Sequence, residues 1–492
     1  MDEILEDPSF DPRTGQRTGA VAHSTPTEVA TILDRANSAA PLVASLHPTI
    51  REGWIDAVAD AVLARATELI NLASSETGLS VPRLEGELAR MAASARFYAA
   101  VAREGSYLGV SRDELDGASS LVRGNIPVGV VAVFGASNFP FGFGIFGHDV
   151  ASAIAVGCPV VVKAHPAHPR LSVRLGAVVK DALAGAGAPD GTFEVVVGFD
   201  SGLQVVDSPV VRAVAFTGSQ HAGMALLERG ALRGIPVFAE MGTVNPVLVT
   251  AAAAADRDAI AQGFVDSFTM GAGQFCTKPG LILVPAGHGF PAAIAEAVSR
   301  VPAAPLLTAG IAAAFARGVG ELDPHAPSPA TPQPKGYEAR PRLVTVALEA
   351  LVSGSRLLDE CFGPVALVAE YDDAGDALAA LGRLQPSLAA SVFAGSDEDA
   401  DAVSAIAQLA KRVGRVAVNT WPTGVATTWS QQHGGPWPAT SRPDATSVGA
   451  AGLARFVRPV SFQNAAPQQL PTMLQPHNPW NLPQRVNGQL VH

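Results

Sequence analysis

Residues 128–164 read VGVVAVFGASNFPFGFGIFGHDVASAIAVGCPVVVKA, and this stretch decides the fold. Its two ends, 128–134 and 159–164, are short valine-rich runs without polar alternation, as expected of strands buried on both faces. Between them, 147–157 reads as a helix. Strand, helix and strand in close succession make a βαβ unit with a right-handed crossover. The rhythm continues outward with a helix at 171–187, a strand at 192–198, a short helix at 202–208 and a strand at 211–219. A second series follows Glu240, with strands at 246–250, 280–286 and 413–419 and a long helix from Ala255 towards Gly273. The fold class is therefore α/β with doubly wound parallel sheets covered by helices on both faces. Upstream, 27–103 repeats Leu, Ile, Val and Ala three and four apart, a run of helices opened by Thr25 or Thr27 as cap beside Pro26.

The chain of 492 residues is long enough for two or three domains. Charged residues make up 16% and apolar residues 48%, a globular rather than a disordered balance. The net charge of −11 is spread without a basic stripe, which argues against a nucleic-acid partner. The polar, acidic N-terminus is no secretory leader. The most apolar run, 124–147, is broken by Asn125, Pro127, Asn138, Pro140 and several glycines, so no membrane partner and a cytoplasmic location are expected. Three cysteines, Cys158, Cys276 and Cys361, lie far apart with no metal-ligand spacing, which suits a reducing compartment and no metal. The proline-rich segment 321–341 reads as a surface loop. The tail from Pro467, rich in Pro, Gln and Asn, is expected to be too polar for a core and to run extended or over a neighbour.

Inside the opening stretch, Gly142, Gly144 and Gly147 spell G-x-G-x-x-G. A dinucleotide fingerprint needs its first glycine in the tight turn ending the strand and an acidic residue about 20 positions on. Here GASNFPF intervenes, and the next strand ends in Lys163 followed by AHPAH, with no carboxylate. These glycines are expected to let a helix start pack tightly. Asn138 lies just past a strand's C-terminal end, where ligands collect in open parallel sheets, and its amide is able to donate to a developing oxyanion. Cys276, in GAGQFCTKPG, follows glycines that leave room for a substrate; Cys158 and Cys361 read as packing. Glu240, in FAEMGTVNP, puts a carboxylate at a strand's C-terminal edge. A free thiol is only about 3% thiolate near neutral pH, so a base or cation is needed nearby, and Glu240 is the candidate.

PVGVVAVFGASNFPF, PVVVKAHPAHP, FTGS, FAEMGTVNP, GAGQFCTKPG, DECFGP and HGGPWPATS, in this order and over nearly the whole chain, resemble the aldehyde dehydrogenase superfamily. The resemblance implies two doubly wound domains and a small β oligomerisation arm. Segments 1–108 and 126–239 would form the cofactor-binding domain with its N-terminal helices, and 240–435 the catalytic domain. Segments 109–125 and 453–463 would form the arm, 436–452 a return segment and 464–492 the tail. It implies Cys276 as nucleophile, the Asn138 amide and the Cys276 N–H as oxyanion donors, and Glu240 as the base that activates water. It places the cofactor pyrophosphate over Gly218 and Ser219, the nicotinamide ribose on Glu360, Phe362 near the nicotinamide ring and the adenine ribose on Lys163. A homodimer, or a tetramer built from dimers, is implied as well.

Many NAD-using relatives carry Lys-Pro-Ser-Glu where this chain has Lys163-Ala164-His165-Pro166. With no anion to repel a 2′-phosphate, and Lys163 and His165 nearby, NADP is favoured and NAD remains usable. ASNFPF, KAHPAHP, GQFCTKPG and HGGPWPATS are similar to the branch of 2,5-dioxopentanoate (α-ketoglutaric semialdehyde) and fatty aldehyde dehydrogenases, with Trp437 where that branch often has Tyr. The small semialdehyde is the first expectation for the substrate, a fatty or other aliphatic aldehyde the second. A substrate carboxylate requires a cation or several donors at the tunnel mouth, and no arginine stands out in the sequence. Two alternatives of another class are a nicotinamide-free cysteine hydrolase and a catalytically silent relative. The first lacks a histidine in a comparable motif, and the intact Cys276, Glu240 and Asn138 set speaks against the second.

Overall fold

In the computed structural model, residues 5–115, 119–323 and 336–491 are described. The opening stretch supplies the centre of a five-stranded parallel sheet. Its order is Phe193–Val196, Val160–Lys163, Val130–Phe134, Val211–Gly218 and Val237–Met241. Val130 to Val133 are at most 2% exposed, and each such side chain contributes about 1.5–3 kcal/mol by leaving water. Helix His148–Val156 makes the crossover between the first two of these strands in the chain. The next strand in the chain after Val160–Lys163 adds outside it, whereas Val211–Gly218 returns to the other side of Val130–Phe134. The strand order thus reverses beside Val130–Phe134, and the crevice beyond the carboxyl ends at such a reversal is the natural ligand site.

A second parallel sheet has six strands in the order Arg342–Thr345, Val365–Tyr371, Leu281–Pro285, Pro246–Val249, Ser387–Phe393 and Val413–Val418. The division placed at 239/240 falls inside the strand Val237–Met241, so Glu240 belongs to the first sheet. The return segment runs beside that strand, with Met241 N–H donating to Ala439 C=O and Ser441 N–H to Ala239 C=O.

Four helices, Pro26–Ser45, Pro48–Ala64, Ala66–Thr77 and Val81–Glu104, account for the upstream periodicity. Thr25 is the cap, in a reciprocal box with Glu28, and Pro26 takes the first helical position. Most of the proline-rich segment, residues 324–335, lies outside the described residues.

A third sheet has the order Val457–Gln463, Ser119–Pro127, Val110–Leu115, Gln484–Val486 and Gln489–Val491. Its last two strands come from the tail, which departs from the expectation of an extended, coreless segment. Leu470, Met473, Leu474 and Leu482 are buried against Leu108, Val110 and Val122, so the polar residues between them face outward while the tail anchors on its own chain. Among the described residues no helix is long and apolar enough to cross a membrane.

Candidate active site

Beyond Phe134 the chain coils into the turn that holds Asn138. A Cβ on Gly144 would collide with the Pro140 carbonyl, and one on Gly147 with the Gly142 carbonyl. Gly142 differs, since a Cβ there would meet nothing closer than 3.9 Å. The packing explanation therefore holds for Gly144 and Gly147 and is corrected for Gly142. What Gly142 contributes is its N–H, which with that of Phe141 donates to the buried Glu87 carboxylate at 3.0 and 2.9 Å. Arg83, one turn earlier on the same helix, donates to the Asn138 carbonyl at 2.9 Å. The Asn138 amide donates to Gln274 C=O at 2.8 Å, leaving its second N–H for another acceptor.

Gln274 leads into the cysteine loop. Helix Arg257–Thr269 ends, and Gly271, Ala272 and Gly273 follow with φ of 58°, 57° and 68°. Left-handed backbone at Ala272 stores strain that the surroundings must hold. Asn245 does much of the holding: its Nδ2 donates to Cys276 C=O at 2.7 Å and to Lys278 C=O at 3.1 Å. The buried Lys278 ammonium is satisfied by the carbonyls of Cys361, Gly363 and Val365. Cys276 alone of the cysteines is partly exposed; Cys158 and Cys361 are buried.

Glu240 is buried 4% exposed, and it does not meet Cys276 alone. His433 lies between them, its Nε2 2.9 Å from Glu240 Oε1 and 3.6 Å from Cys276 Sγ. The ligand atoms of all three residues fall within 4.8 Å of one another. This corrects the expectation that no histidine accompanies the cysteine: His433 opens the HGGPWPATS motif, and only folding brings it to the thiol. Its backbone N–H donates to Thr446 Oγ1 at 2.8 Å, and Ser447 donates its hydroxyl to Glu240 Oε2. Burial alone would lower the His433 pKa, but the Glu240 carboxylate and the Cys276 sulfur override it, and the group is pushed up to about 10. Behind it, His148 is held down to about 3 by burial, its Nδ1 2.8 Å from the Tyr98 hydroxyl. A cationic imidazole 3.6 Å from a sulfur is the kind of neighbour that favours a thiolate over a thiol.

The remaining expected residues gather at the carboxyl ends of the first sheet. Gly218 ends a strand and Ser219 caps helix Gln220–Arg233. The Thr217 hydroxyl beside them is buried and has no partner among the described residues. Gly242 N–H donates to Gly218 C=O at 3.2 Å, and a Cβ on Gly242 would collide with the Glu360 carboxylate. Glu360 is thus brought across to the same crevice, its pKa pushed up to about 7 by burial against the pull of Lys278. Phe362, partly buried, lies two residues on. Lys163 ends its strand against Gly202 and Phe134. His165 accepts from Ala167 N–H at 3.0 Å, and burial beside His168 and Lys163 holds it well below the usual histidine range. Of that pair only Lys163 brings charge, which corrects the reading of His165 as a second cation. An open helix N-terminus, an unpartnered hydroxyl, a lysine and a carboxylate around one crevice fit a dinucleotide.

Residues 5–307 and 332–437 match the aldehyde dehydrogenase family. The chain is 40% identical to alpha-ketoglutaric semialdehyde dehydrogenase 2 of Azospirillum brasilense, over 98% of this chain and 95% of that one. It is 36% identical to the alpha-ketoglutaric semialdehyde dehydrogenase of Acinetobacter baylyi, over 90% and 87%. In structure it is similar to lactaldehyde dehydrogenase of Escherichia coli, with a TM-score of 0.83 over 95% and 97% of the two chains at 22% identity. It is also similar to an NAD-dependent aldehyde dehydrogenase of Sinorhizobium meliloti, with a TM-score of 0.81 over 94% and 93% at 25% identity. A thiol, a histidine and a carboxylate meeting in one site, on a sequence matched over most of its length, have one common explanation: the chain belongs to the aldehyde dehydrogenase family, enzymes that oxidise aldehydes with NAD(P).

Proposed function

We propose that this enzyme oxidises 2,5-dioxopentanoate to 2-oxoglutarate, with NADP preferred over NAD. The observation that carries the substrate is the 40% identity, across nearly both whole chains, to a relative named for that semialdehyde. The Cys276 thiolate attacks the aldehyde carbon, and the resulting oxyanion is held by the free N–H of the Asn138 amide and the Cys276 backbone N–H. A bound nicotinamide dinucleotide would accept the hydride that leaves the thiohemiacetal carbon as the thioester forms; Gly218 and Ser219 would hold its phosphates, Lys163 and Glu360 its riboses, and Phe362 would lie near its ring. His433 lies beside the sulfur before attack and orients Glu240 afterwards. Glu240 takes a proton from water, the water attacks the thioester, and the thiolate leaves as the carboxylic acid forms.

The missing carboxylate after Lys163 supports NADP, and with His165 neutral Lys163 is the charge available to a 2′-phosphate. Among the described residues strand Val457–Gln463 is paired on one side only, which supports assembly into a homodimer or a tetramer built from dimers. The Cys276–His433 contact also equips the site to hydrolyse activated esters, a second reading separated from the first by its indifference to nicotinamide.

The test is kcat/KM over 2,5-dioxopentanoate, pentanal and decanal with each cofactor. The proposal expects 2,5-dioxopentanoate with NADP to lead by at least about tenfold, some 1.4 kcal/mol of differential transition-state binding. Decanal in the lead would replace the substrate, and a strong preference for NAD would overturn the cofactor assignment.

A further inference from the structure

Arg83 stands in the first turn of helix Val81–Glu104 and reaches between the two loops that carry the chemistry. Its guanidinium carbon is 5.1 Å from the centre of the Phe139 ring and 4.8 Å from that of Phe275. The two rings meet edge to face at 5.0 Å. Phe139 directly follows Asn138 and Phe275 directly precedes Cys276, so the cation is one residue removed from both the oxyanion donor and the nucleophile. A side chain at Gly271 would collide with its Nη1, so that position has room for the arginine only as glycine.

The guanidinium is under-used where it lies. It carries five N–H donors, and among the described residues its one hydrogen bond is to Asn138 C=O. Among the described residues it forms no ion pair; Glu87, one turn on, spends Oε1 on the N–H groups of Phe141 and Gly142. A partly buried cation on two aromatic faces, which the Glu87 carboxylate one turn on influences without forming an ion pair among the described residues, keeps donors free for an anion from outside. A five-carbon semialdehyde spans about 5 Å from aldehyde carbon to carboxylate carbon, roughly the width of an aromatic ring and its contact. A substrate with its aldehyde on Cys276 and its chain running past Phe275 and Phe139 would bring its carboxylate to the guanidinium.

We propose that Arg83 is the specificity residue that receives the substrate's carboxylate, pairing its free edge with the 2-oxo acid end while Cys276 takes the aldehyde. The inference rests on the reading of the substrate as a short semialdehyde acid. Any short oxo acid with an aldehyde about four bonds from its carboxylate belongs to the same class of ligand, and an uncharged aldehyde of equal length does not.

The experiment compares kcat/KM for 2,5-dioxopentanoate and for pentanal in wild type, Arg83→Met and Arg83→Lys, with thermal melting of each variant to show that it folds. The quantity read is the ratio of the two values within one protein, so a general loss from a displaced Asn138 cancels. The ratio is expected to fall about a hundredfold in Arg83→Met, carried mainly by KM for the acid, and to recover in part in Arg83→Lys. An unchanged ratio in Arg83→Met, with both substrates falling together, overturns the assignment and leaves Arg83 as a clamp on the Asn138 loop. A wild-type ratio near one overturns the substrate reading itself, which separates that failure from this one.

Discussion

His433 connects the two residues on which catalysis turns, and it changes what each must do. With His433 between them, Cys276 and Glu240 form one connected unit rather than an acid–base pair acting in turn. Below about pH 10 His433 is cationic, so the unit is assembled throughout the neutral range and is lost only as pH rises through that value. Replacing His433 with Gln removes the cation while keeping a polar side chain. The 3.6 Å contact to the sulfur then carries no positive charge, so kcat/KM at pH 7 is expected to fall about tenfold, with a smaller loss towards pH 9. A pH–rate profile checks this; an equal loss at every pH would reduce His433 to packing. Cys276, Glu240 and Asn138 were legible as residue types at strand ends and after glycines. His433 was not, because 157 residues separate it from Cys276 and a histidine beside glycines looks like turn chemistry until the chain folds. The signal available was its place at the head of a recognised motif.

Among elements, the turn between strand Val130–Phe134 and helix His148–Val156 shows how one motif divides its labour. Its three glycines looked equivalent in sequence, because spacing alone does not show which Cα faces a carbonyl. Gly144 and Gly147 allow the turn to close on itself, while Gly142 presents an N–H to Glu87. Gly144→Ala drives a methyl into the Pro140 carbonyl and is expected to cost at least about 2 kcal/mol, with a clear drop in melting temperature. Gly142→Ala keeps the N–H and has room for the methyl, so its melting temperature should stay close to wild type. Equal drops for the two variants would contradict this division. The valine-rich strands were readable because burial on both faces leaves no room for polar residues. The tail strands were not, since four apolar side chains anchor a segment whose average composition is polar.

For the whole molecule, the two large sheets and the return segment converge on one crevice: Asn138, Gly218 and Glu240 from the first sheet, Cys276 and Glu360 from the second half, and His433 and Ser447 from the C-terminal third. No single domain holds the set, which is why the catalytic unit exists only in the complete fold. The central claim is that oxidation passes through an acyl group on Cys276 that Glu240-activated water removes. The most direct test is a pre-steady-state reaction of Glu240→Gln with excess 2,5-dioxopentanoate and NADP, followed by peptide mass spectrometry. The account predicts a burst of about one NADPH per active site, slow turnover afterwards and an acyl adduct on Cys276. Sustained wild-type turnover with unmodified Cys276, or an adduct on another residue, would contradict it.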